Sequence, residues 1–349
     1  MKTPSPARHL LTFILLAAGP AFAWDYEGHR TVNQVALASL PADFPAFVRE
    51  PANAERIAFL AGEPDRWRNV PDGVIKQSGG SWTDHFCDLE QIPAAGLDLA
   101  KVPSFRYDFI LQFAAGRATH LENFSQIDPA KNADHSAEWP GFAPWAITEH
   151  YLRLKSAFTY LKVFEELGTP EEIANARANA VYSMGVMGHY VGDCAQPLHT
   201  TVHHNGWVGA NPNGYTNWRG FHSWIDGGFV AKAGIKAADV VALAKPVQPL
   251  ALVKQADGRD PLFVVAMNYL IEQNKLVEPL YALEKKGVLK AEVAATSIEG
   301  RDFIKARLLT GGTMLAQIWA TAWKEAGPDN YLRANLLKRQ GITETPPAK

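Results

Sequence analysis

Apolar residues recur at three- and four-residue spacings through most of this chain. The stretches "RTVNQVALASL" (30–40), "APWAITEHYLRLKSAFTYLKVFEEL" (143–167), "PEEIANARANAVYSMGVMGHYVGD" (170–193), "DPLFVVAMNYLIEQNKLVEPLYALEKKG" (260–287) and "GRDFIKARLLTGGTMLAQIWATAWKEA" (300–326) each carry that helical period. Thr169-Pro170-Glu171-Glu172 puts a cap, a proline and two acids at the start of the third stretch, a strong helix start. Strand-like alternation is scarce. The pattern predicts an all-α, single-domain, multi-helix fold over 24–330, with a flexible C-terminal tail at 331–349 ending "KRQGITETPPAK". Neither an internal repeat nor a composition break demands a second domain.

Long polar or glycine- and proline-rich segments separate the helices: "GEPDRWRNVPDGVIKQSGGSWTDH" (62–85), "NFSQIDPAKNADHSAEWPGF" (123–142) and "HHNGWVGANPNGYTNWRG" (203–220). Loops of that length in a compact domain usually carry function.

The first 23 residues break the pattern. Lys2 and Arg8, the apolar run "LLTFILLAA", and Ala21-Phe22-Ala23 have the charge, length and small-x-small ending of a secretory signal peptide. The run is too short to anchor in a bilayer. The expected mature chain begins at Trp24 and is secreted or periplasmic, with no stable membrane insertion; a monomer is expected. Of 34 basic residues, Lys2 and Arg8 leave with the leader, so 32 face 36 acidic ones. Bulk charge therefore does not hold a nucleic acid, and a polyanionic substrate would need local metal ions or a few arginines. Two cysteines, Cys87 and Cys194, exclude a disulfide scaffold; export leaves one bridge between them open, although side chains in such positions can also point apart.

Candidate chemistry concentrates in "HYVGDCAQPLH" (189–199). His189 and Asp193, four apart, leave one helix face; Pro197 turns the chain and His199 follows. Imidazoles and a carboxylate converging in this way suit zinc, the competing reading being a helix-face His–Asp pair beside an unrelated loop histidine. His222 and Asp226 repeat the spacing in "GFHSWIDGG", where an isolated pair would be a weak surface ion pair. Asp65 read alone is a turn or cap residue, and His85 a satisfied core histidine. A free Trp24 would offer its α-amine and carbonyl as a five-membered chelate, with His29 five residues later adding an imidazole to the same metal. His203 and His204 read as solvent-facing loop residues rather than a fourth metal site. His120, His135 and His150 read as ordinary surface or core residues.

Taken together, Trp24, His29, Asp65, His85, the "HYVGDCAQPLH" run, His222 and Asp226 resemble the zinc-dependent nuclease/phospholipase C superfamily. Within it the chain is more similar to the single-strand nuclease (S-one/P-one) branch, because His29 follows Trp24 by five residues and the last pair is His-x-x-x-Asp. The likeness spans Trp24 to about Gly228, with a similar helix around Arg307 to Trp319.

The resemblance implies three zinc ions. One would take Asp65, His85, His189 and Asp193; a second Trp24, His29 and the bridging Asp193; a third His199, His222 and Asp226. It implies that Arg68 contacts the scissile phosphate, that Asp65, Arg68 and Asp193 are catalytic, and that Phe86 and Asp88 stack on and hydrogen-bond a nucleobase. The implied activity is hydrolysis of single-stranded DNA, RNA or nucleotides, with 3′-nucleotidase activity alongside, by attack of a zinc-activated hydroxide on phosphorus. The alternative within the superfamily is a phospholipase C, favoured if Trp207, Tyr215 and Trp218 form an aromatic cage for a quaternary ammonium. A zinc-binding protein without turnover fits poorly, since structural zinc sites are closed and this one spends nine ligands on three ions. Two departures from the nuclease pattern stand out: the longer Asp65-to-His85 spacing through "NVPDGVIKQSGGSW", and "TTVHHNGWVGANPNGYTNWRG" where a glycine-rich segment is expected.

Overall fold

The computed structural model describes residues 24–68, 82–132 and 135–342, without the side chains of Arg68 and Lys131. Residues 1–23, expected to be a signal peptide, residues 69–81 of the lengthened segment, and the last seven residues lie outside that set.

Among the described residues every regular element is helical. In chain order these are α1 (Tyr26–Ser39), α2 (Pro51–Leu60), α3 (Glu63–Arg68), α4 (Gln91–Ala94), α5 (Arg106–Thr119), α6 (Ala143–Leu167) and α7 (Pro170–Asp193). Next come α8 (Phe221–Ser223), a π turn at Trp224–Gly228, α9 (Phe229–Ala233) and α10 (Ala237–Val241). The chain closes with α11 (Pro261–Asn274), α12 (Val277–Lys286), α13 (Ile298–Glu325) and α14 (Asn330–Arg339). The all-α expectation is met. No described helix is long and apolar enough to cross a membrane.

The core is a layer of long helices. α6 and α7 pack along each other, and α1 lies against both α13 and α7. Trp24, Phe109, Phe113, Phe158, Tyr190, Phe221, Phe263, Tyr281 and Trp319 are fully buried, so the aromatic side chains fill one continuous interior. α7 begins as its sequence requires: the Thr169 hydroxyl accepts from Glu172 N–H and the Glu172 carboxylate accepts from Thr169 N–H, with Pro170 in the first turn.

At the other end α7 must approach α1 and α2 closely. Asn33 donates to the carbonyls of Ile57 at 2.7 Å and Gly185 at 3.0 Å, tying three helices together. A Cβ on Gly188 would stand 1.7 Å from Asn33 Oδ1, so only glycine fits one residue before His189. The α7 C-terminus is thereby fixed in the centre of the molecule.

The C-terminal end differs from expectation. The segment read as a tail from 331 opens with α14, which buries Leu336 and Leu337. Arg333 pairs with Glu166 at 2.7 Å and Arg339 with Glu172 at 2.8 Å, clasping α14 to the α6–α7 junction. The first long loop also holds helix, since α3 and a 3-10 turn at Trp82–His85 lie inside it.

Candidate metal centre

Four segments meet at the C-terminal end of α7. α7 supplies His189 and Asp193, both fully buried. α1 supplies His29, whose Nε2 lies 3.3 Å from Asp193 Oδ1 and whose ring stacks on His189 with centroids 3.9 Å apart. The 3-10 turn supplies His85, whose Nδ1 lies 3.2 Å from Asp193 Oδ2. The first turn of α3 supplies Asp65, whose Oδ1 lies 3.8 Å from His189 Nε2 and 4.0 Å from His85 Nδ1.

The tautomers, assigned from their partners, decide what these groups can do. His189 Nδ1 donates to the Ala61 carbonyl at 2.7 Å. Its Nε2 is therefore a lone pair in the neutral ring, facing Asp193 Oδ2 at 3.3 Å and His85 Nδ1 at 2.8 Å. His199 repeats the device: Nδ1 donates to the His85 carbonyl at 2.9 Å, which turns Nε2 toward His222 Nε2 at 2.9 Å. Asp226 Oδ2 then stands 3.0 Å from His222 Nε2. A lone pair and carboxylate oxygens so close together in a buried place need a proton or a metal cation between them.

Three groups could each hold a metal ion: His29, His189 and Asp193; Asp65, His85 and His189; and His199, His222 and Asp226. Ligand oxygens and nitrogens around a tetrahedral zinc sit roughly 3.3 Å apart, close to the separations of 3.0–3.3 Å that Asp193 and Asp226 keep from their histidines. The donor set of neutral imidazole and carboxylate fits zinc. The first two groups share His189 rather than Asp193. Asp193 touches both all the same: Oδ1 stands by His29, and Oδ2 by His189 and by His85 of the second group.

Trp24 has no side-chain ligand to offer, yet it is placed beside the others. Its indole Nε1 donates to the Gly192 carbonyl at 2.9 Å, one residue before Asp193. Asp25 N–H reaches the Asp226 carbonyl at 3.3 Å. The backbone of Trp24 is thus held between the end of α7 and the π turn.

Beside the third group opens a cavity of about 360 Å³, lined by Trp82, Phe86, Asp88, Gln91, Trp139 and His204 among others, with His85, His199 and His222 on the wall it shares with the candidate groups. Phe86 is half-buried there. Its segment is tied on two sides: Cys87 N–H donates to the His199 carbonyl at 2.9 Å, and Ala143 N–H to the Phe86 carbonyl at 3.1 Å. Gly141, at φ +94°, passes so close that a Cβ would meet the Phe86 carbonyl oxygen at 2.2 Å. Asp88 is buried and accepts from Gln91 at 3.0 Å; desolvation pushes its carboxyl up to about 6.

Other expectations fare unevenly. Arg68 ends α3, three residues after Asp65, and its side chain lies outside the described set. Cys87 and Cys194 form no bridge; both thiols are free, buried and pushed up by desolvation. His203 and His204 face solvent less than their loop suggested. His203 stacks on Trp207 at 3.9 Å, and His204 donates from Nδ1 to the Thr201 carbonyl at 3.2 Å and lines the cavity. Trp207 and Tyr215 lie 4.8 Å apart, but one Trp207 face is covered by His203, and Trp218 lines a separate cleft with Trp224 and Glu284. The three rings do not make one cage. His150 is a core residue stacked on Tyr190 at 4.8 Å, its burial holding the ring neutral with a pKa of about 3. Sequence reading missed Gln196, whose amide holds Asp226, and the buried Asp84 beside His85, which pairs with Arg106.

No family model, curated protein or solved structure matches this chain.

Proposed function

We propose that this chain is an exported, trinuclear zinc phosphodiesterase that hydrolyses single-stranded DNA or RNA, with 3′-nucleotidase activity at the same site. The observation that carries the reading is the convergence of imidazole nitrogens and carboxylates in three adjoining groups beside an aromatic-lined cavity. Zinc bound there would neutralise phosphate charge and acidify water at near-neutral pH.

The residues of the chain divide the remaining work. Asp193, between His29 on one side and His85 and His189 on the other, would be shared by two of the ions. The Ala61 and His85 carbonyls keep His189 and His199 in the ligating tautomer. Arg68 is the residue assigned to a phosphate oxygen, where a guanidinium can pair bidentately. Phe86 would stack on a base, worth ~1–3 kcal/mol whatever its identity, provided the base is not already stacked in a duplex. Asp88 and Gln91 would meet the edge of that base. A preference for single strands then needs no basic surface.

The phospholipase C alternative loses support because Trp207, Tyr215 and Trp218 do not enclose one space. The deciding experiment gives zinc-loaded protein starting at Trp24 single-stranded DNA and phosphatidylcholine side by side. Cleavage of DNA alone, abolished by a chelator and restored by zinc, is expected. Release of phosphocholine alone would move substrate recognition to the 203–220 loop, and hydrolysis of neither would reject the reading.

A further inference from the structure

Gln196 sits between Asp193 and His199 with no accessible surface. Its Oε1 accepts from Leu198 N–H at 2.7 Å, capping the 3-10 turn Pro197–Thr200 that carries His199. Because that backbone donor takes the oxygen, the amide orientation is settled, and the NH₂ end must face the other way. It donates to Asp226 Oδ1 at 2.7 Å. One side chain therefore holds two of the three ligands of the His199, His222 and Asp226 group.

We infer that Gln196 is a positioning residue that commits Asp226 to single-oxygen ligation of the third metal and so keeps a coordination place open there for substrate. The inference rests on the trinuclear reading above. Oδ1 accepts from the amide, while Oδ2 stands 3.0 Å from His222 Nε2. A carboxylate free of that hydrogen bond could swing to bind through both oxygens and close the site, whereas a catalytic zinc keeps one position open. A neutral amide suits this position because its donor strengthens a carboxylate that must remain ionised, while a second carboxylate would repel it.

Two variants separate the roles of the amide. Gln196→Glu retains an oxygen for Leu198 N–H and places an acceptor against Asp226; Gln196→Leu removes both contacts. Zinc retained against graded chelator, counted by elemental analysis, reads affinity, and the visible spectrum of cobalt(II)-substituted protein reads coordination number. Both variants are expected to keep two tightly held equivalents and to weaken the third by about 10- to 100-fold, with an altered third-equivalent cobalt band. Should Gln196→Leu fail to fold, the near-isosteric Gln196→Glu decides. Third-equivalent affinity and spectrum unchanged from wild type would overturn the inference, as would equal weakening of all three. Wild-type protein that takes up no third equivalent would overturn the trinuclear reading itself.

Discussion

His29 Nε2 stands 3.3 Å from Asp193 Oδ1, while the other Asp193 oxygen serves His85 and His189. Asp193→Asn is therefore expected to release two zinc equivalents and to cut activity by at least about 100-fold, more than any other single ligand change. Metal content and turnover measured across the ligand set check this; equal losses at every ligand would contradict the bridging role.

The indole of Trp24 is anchored on Gly192 and Asp25 on the Asp226 carbonyl, so the amine of a processed Trp24 would sit among the ligands. One extra residue ahead of Trp24 is expected to lower zinc content and rate together. An extended protein that keeps three equivalents and full rate would remove Trp24 from the ligand set.

Phe86→Ala is expected to raise the KM for single-stranded DNA by about 5- to 150-fold, the equivalent of ~1–3 kcal/mol of stacking, while kcat changes less. Zinc content should not change. A fall in kcat with KM constant would place the base elsewhere.

Burial raises Asp88 to about 6 from 3.8. Between those values the folded chain binds more protons than the unfolded one, so stability falls as pH rises through that window and the loss is complete above it. The difference amounts to roughly 3 kcal/mol. Asp88→Asn lacks this titration, so its stability relative to wild type should be higher at pH 7 to 8 than at pH 4. Denaturant melts of metal-free protein at several pH values test it, and parallel profiles would show Asp88 ionising normally.

Gly188→Ala is expected to destabilise by about 1–3 kcal/mol, because the added carbon displaces Asn33 from its two carbonyl partners. A melting temperature equal to that of wild type would mean α1 and α7 can part without cost.

Local chemistry was legible where it acts within a few residues. The boundaries of α6 and α7 follow from proline, the Thr169 cap and an uninterrupted apolar stripe. The break between α11 and α12 at Lys275 and Leu276 is invisible, because the apolar period continues across it. The clasp on α14 is made by Glu166 and Glu172, 167 residues earlier, so its own charged residues read as a tail. The candidate ligand residues stood out through repeated four-residue His–Asp spacing and the likeness to a known ligand set. Gln196 gave no such signal, since its meaning depends on Asp226 thirty residues on. His204 is drawn inward by Thr201, and Tyr281 of α12 donates to the neighbouring His203 carbonyl; neither contact is written in the loop itself.

The clasp of α14 on the start of α7 has a practical side. Glu172 and Asp193 lie at opposite ends of α7, about 30 Å apart at helical rise. The two ends of the described chain thus differ in what they tolerate. An affinity tag or surface tether joined beyond α14 hangs at the far pole of the protein, whereas anything joined at Trp24 adjoins the residues that would hold metal.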